Sequence, residues 1–264
     1  MNDKFRSMII LLLTTVLLSG CTEINEPITK DSTGVWNELI VYPLSWLMVE
    51  TAQFFGEPLG YGLSIILITV LIRLAILPLM IKQIKSTKAM QVIQPELAKL
   101  QEKYKSKDAI TRQKLQQERL LLMEKYNINP MAGCLPLFIQ MPILLGFYQA
   151  IMRTEELKGN SFIWFELASP DPYFLLPILA GVSTFIQQKV MTKGQEGNPQ
   201  IVMMLWLMPV MIIIFSLYLP SALPLYWIVG NIFSIIQSYF IQTPEIINIT
   251  TQPAVAGRTG GRKK

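Results

Sequence analysis

Residues 60–81 read GYGLSIILITVLIRLAILPLMI, an apolar run of 22 residues that contains one charged side chain, Arg73. At about 1.5 Å per residue, a helix of this length crosses the roughly 30 Å hydrocarbon core of a bilayer. Arg73 lies eight residues before Ile81, about 12 Å of helix from the end of the run. Because an arginine at the centre of a membrane helix costs about 2.5–3.5 kcal/mol on insertion scales, this stretch predicts a membrane helix whose charge has a function.

Four further apolar runs follow, and the composition agrees with them. Hydrophobic residues make up 51% of the 264-residue chain and charged residues only 16%, against about 25% charged in a typical soluble domain. We therefore predict an all-α membrane protein with five transmembrane helices, at 60–81, 131–152, 173–190, 202–219 and 222–241. This pattern excludes an ordinary soluble enzyme, a disordered chain and a disulfide scaffold.

Histidine is absent from the chain and there are only two cysteines. Without histidine there is no Ser-His or Cys-His catalysis, no histidine-ligated metal and no histidine proton relay. Two cysteines are too few for a cysteine-rich zinc or iron–sulfur site. We therefore expect a protein that is not an enzyme and that has no metal and no soluble cofactor.

Residues 1–20 have the features of a lipoprotein signal peptide. Lys4 and Arg6 precede an apolar core of 11 residues from Met8 to Leu18, which is too short to span a bilayer. The following Leu18-Ser19-Gly20-Cys21 resembles the bacterial lipobox. We expect cleavage before Cys21 and a diacylglyceryl group on its thiol, with an N-acyl group such as palmitate as an optional addition. The alternative is an ordinary signal peptide with an incidental cysteine.

Residues 21–59 are predicted to lie outside the cell. Between 22 and 59 there are six acidic residues and one base, Lys30. Trp36, Ile40, Leu44 and Leu47 are spaced to share one helical face, which is typical of an amphipathic helix in the outer headgroup layer. A helix packed on the bundle is the other interpretation, and both can hold together.

The charges of the loops orient the chain across the membrane. Loop 82–130 has five acids and eleven bases, whereas loop 153–172 has four acids and two bases. The tail 242–264 has four bases and one acid. We therefore place 82–130, the short loop 191–201 and the tail in the cytoplasm, with the N-terminus and 153–172 outside. The bases of the first loop are Lys82, Lys85, Lys88, Lys99, Lys103, Lys105, Lys107, Arg112, Lys114, Arg119 and Lys125.

Segment 82–130 also contains two helical patterns. Apolar and aromatic residues recur at spacings of three, four and seven on both sides of a polar turn at 106–108, which indicates two helices. We predict a cytoplasmic helical hairpin with one apolar seam and basic outer faces; a solvated positive-inside loop is the alternative. The seam residues are Ile93, Leu97, Leu100 and Tyr104, then Leu115, Leu122 and Tyr126.

None of the five runs contains an aspartate or glutamate, so no carboxylate is available at the depth of Arg73. The runs do contain neutral polar residues, each of which alone would be explained by a hydrogen bond between helices. Together with Arg73 they predict a hydrophilic groove that opens to the cytoplasm and can receive a negative partner. The candidate groove residues are Arg73, Gln140, Thr184, Gln187, Gln188, Trp227, Asn231, Ser234 and Gln237.

Three strings in the sequence resemble the YidC/Oxa/Alb family of membrane protein insertases, and the likeness extends over nearly the whole mature chain. They are Tyr61-Gly62-Leu63-Ser64-Ile65-Ile66 through Arg73 to Pro78-Leu79, Asn129-Pro130-Met131-Ala132-Gly133-Cys134-Leu135-Pro136 with Gln140-Met141-Pro142, and Leu225-Tyr226-Trp227 with Asn231. The lipobox and the lack of a large outer domain are similar to the Gram-positive lipoprotein type, including its sporulation-associated paralogues.

The resemblance implies an insertase and chaperone of the bacterial plasma membrane that acts on nascent membrane proteins, and also on lipoproteins, alone or with the Sec translocon. Arg73 would attract the acidic outer segment of a substrate into the groove. The cytoplasmic hairpin and basic tail would contact the ribosome or targeting factors, with anionic lipids as an alternative partner of the tail. The protein would function as a monomer.

Two other functions compete with that of an insertase. A secondary transporter of a small anionic solute would also use a polar site in the membrane, but transporters commonly need an intramembrane carboxylate and often show inverted repeats. An aspartyl intramembrane protease needs membrane aspartates, which the predicted spans lack.

Overall fold

The computed structural model describes residues 24–106, 108–126, 135–193 and 199–241. The signal peptide, Cys21, the string Asn129 to Cys134 and the basic tail 242–264 lie outside the described residues. The predictions made for those segments therefore stay predictions.

The chain is predominantly helical, which confirms the all-α class. A π-helical segment, Asn37–Val41, leads into α1. A 3₁₀ turn, Glu155–Leu157, and a short hairpin of β1 (Ser161–Phe162) with β2 (Phe165–Glu166) separate α6 from α7. The helices in the described segments are α1 Tyr42–Phe55, α2 Gly60–Ala75, α3 Leu77–Val92, α4 Gln94–Lys103, α5 Ala109–Lys125, α6 Leu135–Arg153, α7 Leu175–Met191, α8 Pro199–Ser216 and α9 Ala222–Phe240.

The first apolar run is not one straight helix, so the expected span at 60–81 was wrong in this respect. Helix α2 ends at Ala75, and the chain bends by 66° before α3. Pro78 lies at the start of α3, where its missing N–H and its ring prevent the α2 hydrogen-bond ladder from continuing. In the described segments no single helix is long and apolar enough by itself to qualify as a membrane span, while this bent pair qualifies when taken together. The number of membrane crossings stays a prediction.

Helices α6 to α9 follow the later apolar runs, and those of their ends that do not border an undescribed segment lie within three residues of the expected bounds. Helix α7 packs against both α8 and α9, and α9 also packs against α2. A core of buried side chains lies between α2, α6 and α9 and includes Ile65, Ile68, Phe147, Ile151 and Tyr226. This packing places the middle of α2 beside α6 and α9.

The N-terminal helix packs on the bundle, which supports the second of its two interpretations. Trp36, Ile40 and Leu44 contact the main core, but Leu47 is exposed, so the face predicted from spacing was wrong at that residue. The fully buried side is instead that of Val41 and Met48. The covered side of α1 is displaced by about one residue from the predicted face, because α1 packs against α2 and, less extensively, against α6.

Arg153 fastens this N-terminal region to α6. The arginine is 2% exposed, and its Nε donates to the carbonyl of Glu26 at 2.8 Å while Nη1 donates to Oδ1 of Asn37 at 2.8 Å. Nearby, Nε1 of Trp36 donates to Oε1 of Gln149 at 2.9 Å. These contacts tie residues 26–37 to the end of α6.

Helices α4 and α5 form the predicted hairpin, with Ile93 and Leu97 buried beneath Leu122 and Tyr126. Two hydrogen bonds between tyrosines and glutamates connect the two halves of the hairpin. The hydroxyl of Tyr104 donates to Glu118 and that of Tyr126 donates to Glu96, each at 2.5 Å. The Tyr104 hydrogen bond lowers the pKa of Glu118, and the carboxylate of Glu96 raises the pKa of Tyr126.

The loop between these two helices ends in an N-cap. Oδ1 of Asp108 accepts from the backbone N–H of Thr111 at 2.8 Å, and Oδ2 accepts from the hydroxyl of Ser106 at 2.5 Å. These hydrogen bonds hold the pKa of Asp108 well below its ordinary range, and the hydrogen bond from Ser106 has the largest effect. An aspartate in this position satisfies an otherwise orphaned N–H at the start of α5.

Candidate functional site

Arg73 lies in the last turn of α2, directly before the bend, and only 7% of it is exposed. The carboxyl end of a helix carries partial negative charge, which stabilises a cation in the last turn. Helix α9 passes close to the guanidinium at Gly230, where an added Cβ would lie 2.5 Å from Nη2 of Arg73. The glycine therefore makes the space that the buried arginine occupies.

Gln140 on α6 connects Arg73 to α9. Its Oε1 accepts a hydrogen bond of 3.4 Å from Nη2 of Arg73, and its Nε2 donates to the hydroxyl of Tyr226. Tyr226 is 1% exposed, and its ring packs against Phe147 with centroids 4.8 Å apart. Arg73, Gln140 and Tyr226 therefore form one chain of polar contacts across three helices, which we call the arginine cluster.

The arginine cluster neutralises the guanidinium incompletely. A guanidinium has five N–H donors and a full positive charge, while Gln140 supplies a neutral acceptor. No carboxylate of the described ranges forms an ion pair with Arg73. A buried cation with a neutral partner attracts an anionic group more strongly than the same cation in water.

A second polar contact joins α7 to α9. Nδ2 of Asn231 donates to Oγ1 of Thr184 at 2.9 Å and to Oγ of Ser183 at 3.0 Å. The hydroxyl of Thr184 itself donates to the carbonyl of Ala180 at 2.7 Å. Ser234, one turn further along α9, donates to the carbonyl of Gly230 at 2.9 Å. The two hydrogen bonds from Asn231 fix α9 against α7 beside the arginine cluster, whereas the hydrogen bond of Ser234 lies within α9.

The other predicted groove residues take part neither in the arginine cluster nor in the contact between Asn231 and Thr184. Gln187 and Gln188 are half-buried, and no side-chain hydrogen bond is found for them among the described residues. Trp227 is half-buried against the main core. The side chain of Gln237 is buried, and neither its Nε2 nor its Oε1 has a hydrogen-bond partner in the described part of the chain. The structure thus brings together Arg73 with Gln140, and Asn231 with Thr184.

The residues predicted for the groove did not include Tyr226, Gly230 or Ser183. Tyr226 and Gly230 are four residues apart on α9, with Ser234 four residues further, so the three share one face of that helix. This spacing could have placed Tyr226 and Gly230 on the same face as Ser234, which was predicted for the groove. Within the described ranges there is also no cluster of three or more metal-ligating side chains.

A helical bundle that buries an arginine among neutral polar groups, with apolar side chains exposed on its outer surface, defines a helical membrane protein with a polar interior. Comparison with known proteins gives the family. Residues 51–248 match the model of the family described as 60Kd inner membrane protein. The chain belongs to this family, that of the YidC/Oxa/Alb membrane protein insertases.

Individual relatives agree with this assignment. The chain is 53% identical to the membrane protein insertase YidC 2 of Bacillus anthracis over 265 residues, covering 100% of both chains. It is 56% identical to the membrane protein insertase MisCA of Bacillus subtilis over 250 residues, covering 94% of each. The crystal structure of an active YidC insertase with its first transmembrane domain resolved superposes with a TM-score of 0.63 at 25% identity, covering 79% of this chain and 47% of that one.

Proposed function

We propose that this membrane protein insertase uses the arginine cluster to draw the outer segment of a nascent membrane protein into the membrane. Relatives of full length carry the insertase name, which favours insertion over transport of a small anion. The single observation that carries the proposed mechanism is the 7% exposure of Arg73 together with its neutral partner Gln140.

The attraction is electrostatic. A substrate whose outer segment is acidic presents carboxylates to a guanidinium in a medium of low dielectric constant, where charges interact several times more strongly than in water. Polar side chains around the path shorten the hydrocarbon distance that the hydrated backbone of the segment must cross. The interaction has to stay transient, because a tightly held segment would not be released on the outer side.

The apolar helix of the substrate would leave sideways along α7 and α9. Both helices expose large apolar side chains on their outer surfaces, which supports a lipid-facing exit path. On α7 these include Ile178, Leu179, Val182 and Ile186, and on α9 they include Ile232 and Ile236. Burial of the substrate helix in lipid would supply the net driving force, so no nucleotide is needed.

The remaining features of the proposal concern location and partners. The chain would be lipid-anchored through Cys21 in the bacterial plasma membrane, with a cytoplasmic C-terminus and a groove open to the cytoplasm. The helical hairpin of α4 and α5 and the basic tail would receive ribosomes or targeting factors, and the Sec translocon would assist with some substrates. The topology is supported by the charge distribution of the loops and the positive-inside rule. The lipid anchor is supported by the lipobox at Cys21, and the partners are those that the family resemblance implies.

Reconstitution tests the proposed function. The purified chain in proteoliposomes should protect the outer tail of a single-spanning substrate from external protease without added nucleotide, whereas empty liposomes should not. Equal protection in empty liposomes and proteoliposomes would contradict autonomous insertion. Protection that appears only when the Sec translocon is added would restrict the proposal to a Sec-dependent insertase.

A further inference from the structure

A small cavity with two lysines in its wall lies where α3 meets the ends of α7 and α9. Its volume is about 50 Å³. A single water molecule needs about 10–15 Å³ measured in this way, so the cavity has room for a group of about four oxygen-sized atoms. The polar side chains of its lining are those of Thr87, Lys88, Gln91, Lys193 and Ser238.

The packing of α3 brings Lys88 to this cavity. The buried side of α3 is that of Gln83 and Ile84, which are 3% and 2% exposed. Thr87 and Lys88 follow these two residues after one helical turn, so they lie on the same side of the helix. Lys88 is accordingly half-buried, whereas Lys82 of the same helix is exposed. The fold thus distinguishes Lys88 from the ordinary surface charges of this region.

The positive charge at the cavity is not balanced by the described residues. No carboxylate is among those that line it, and neither Lys88 nor Lys193 forms an ion pair or a side-chain hydrogen bond with them. Two ammonium groups beside one cavity repel each other. A cation would add to this repulsion, and an apolar ligand would leave the ammonium groups unsolvated. The lining therefore selects an anion.

The neutral side chains of the lining add hydrogen-bond donors. One N–H of Gln91 donates to the carbonyl of Met191 at 2.9 Å, and a carboxamide has a second N–H. The hydroxyls of Thr87 and Ser238 donate to carbonyls of their own helices at 3.2 and 2.7 Å, and a hydroxyl hydrogen can rotate to another acceptor. A tetrahedral oxyanion the size of a phosphate group matches these donors in number and the cavity in volume.

The surface beside the cavity favours a lipid as the source of this phosphate. Val190 lines the cavity, and Ile186 and Val182 precede it on α7 at steps of one helical turn and are exposed. An apolar stripe therefore leads away from the cavity along α7 and can contact acyl chains. Basic pockets between membrane helices on the cytoplasmic side bind headgroups of anionic lipids, and this end of α7 and α9 is predicted to face the cytoplasm.

We propose that the cavity between α3, α7 and α9 binds a phosphate group through Lys88 and Lys193, with an anionic phospholipid or free phosphate as its source. The bound group would connect α3, which follows the 66° bend, to the ends of two helices of the bundle. The alternative role of the two lysines is to complement the partial negative charge at the carboxyl ends of α7 and α9, which needs no ligand.

The test uses the full chain in a neutral detergent, where the field of a charged leaflet is absent. The thermal midpoint is measured during titration with phosphatidylglycerol, phosphatidylcholine or inorganic phosphate, because a ligand of the folded state raises the midpoint according to its affinity. The test variant is Lys88→Gln/Lys193→Gln. The matched control is Lys82→Gln/Lys189→Gln, which removes two exposed bases from the same helices α3 and α7. Lys88→Arg/Lys193→Arg keeps the charge.

We expect phosphatidylglycerol to raise the midpoint of wild type and of the control at equal concentrations, while phosphatidylcholine has little effect. The affinity of the test variant should fall about tenfold or more, since each lysine contributes about fivefold at an anionic lipid, and the arginine variant should retain most of it. A response to phosphatidylglycerol alone identifies a lipid as the source. A response of equal size to inorganic phosphate identifies free phosphate.

Three outcomes would overturn the proposal. The first is that no phosphate compound shifts the midpoint of wild type, and the second is that the test variant and the control respond equally. The third is a lower midpoint of the test variant without ligand but an unchanged affinity, which would assign the lysines to the helix ends alone. No substrate protein is present, so these outcomes do not depend on the proposed function.

Discussion

Arg73 and Gln140 are joined by a hydrogen bond of 3.4 Å between α2 and α6, with the guanidinium as donor and a neutral carboxamide as acceptor. The carboxamide is itself oriented by its contact with Tyr226. This relationship keeps a full positive charge buried and positioned without cancelling it. A carboxylate at residue 140 would instead pair with the arginine and compete with an acidic substrate.

The orientation of Gln140 should depend on the hydroxyl of Tyr226. In Tyr226→Phe, Nε2 of Gln140 loses its buried acceptor, which should lower the free energy of unfolding by about 1 kcal/mol. Insertion of acidic substrates should fall less than in Arg73→Ala, since the charge remains. Tyr218→Phe is the matched control because that side chain is exposed. Equal behaviour of the two variants in thermal unfolding and insertion would show that the hydroxyl does not orient Gln140.

The space at Gly230 should be required for the position of the guanidinium. An alanine there would place its Cβ 2.5 Å from Nη2 of Arg73, and the long arginine side chain would move rather than the backbone. Gly230→Ala should therefore impair insertion of acidic substrates while leaving the protein folded.

A double-mutant cycle separates this effect from a packing defect of α9. In an Arg73→Ala background, Gly230→Ala should cause no further loss of insertion. Additive losses in the double variant would assign the effect of the glycine to helix packing.

The α4–α5 hairpin should loosen in acid. The hydrogen bond from Tyr104 lowers the pKa of Glu118 from its ordinary value of 4.5, so the ionised form stabilises the folded hairpin. This contribution is complete above about pH 4.5 and is lost as the pH falls through the lowered pKa of the folded state. Hydrogen exchange of residues 94–125, corrected for intrinsic rates, should show this loss of protection.

The variant Glu118→Gln should weaken the acid dependence and leave the part that Asp108 contributes at the start of α5. Glu124→Gln, which changes an exposed residue of the same helix, should keep the full dependence. If protection falls equally with pH in both variants, another group controls the hairpin.

The N-terminal region should detach when Arg153 is removed. Arg153→Ala leaves the carbonyl of Glu26 and Oδ1 of Asn37 without their present donor, which should cost about 1–3 kcal/mol of unfolding free energy. Limited proteolysis should then cut within residues 24–37 faster than in wild type. Lys158→Ala, which changes an exposed base nearby in sequence, should leave the cleavage rate unchanged. Faster cleavage in that control would show that the effect is not specific to Arg153.

The sequence alone predicted the helical class and indicated Arg73 as a charge within an apolar run, because both depend on local features; the function of Arg73 stays a prediction. Apolar runs indicate helices by their length, and a lone charge within such a run is conspicuous. Gln140, Asn231 and Thr184 were also predicted, because polar residues in apolar runs need partners. The structure shows which partners they take, with Gln140 at Arg73 and Asn231 at Thr184.

The remaining features of the fold and of the site depend on how the helices face one another. The periodicity within one helix does not determine this. The covered side of α1 is decided by its packing on α2 and α6, so Leu47 was assigned to the wrong face. Gln83 was counted only as part of a cytoplasmic loop, and its burial follows from the 66° bend and the packing beyond it. The proline at 78 was visible, but the direction of the bend is a tertiary property.

The most direct measurement is insertion of a substrate series whose outer tails carry zero to four acidic residues, compared between wild type, Arg73→Lys and Arg73→Ala in proteoliposomes. The electrostatic account predicts that insertion by wild type rises with the number of acids, that Arg73→Ala abolishes this dependence, and that Arg73→Lys preserves part of it. An identical dependence on tail charge in wild type and Arg73→Ala would contradict the account and assign insertion to the apolar surfaces of α7 and α9.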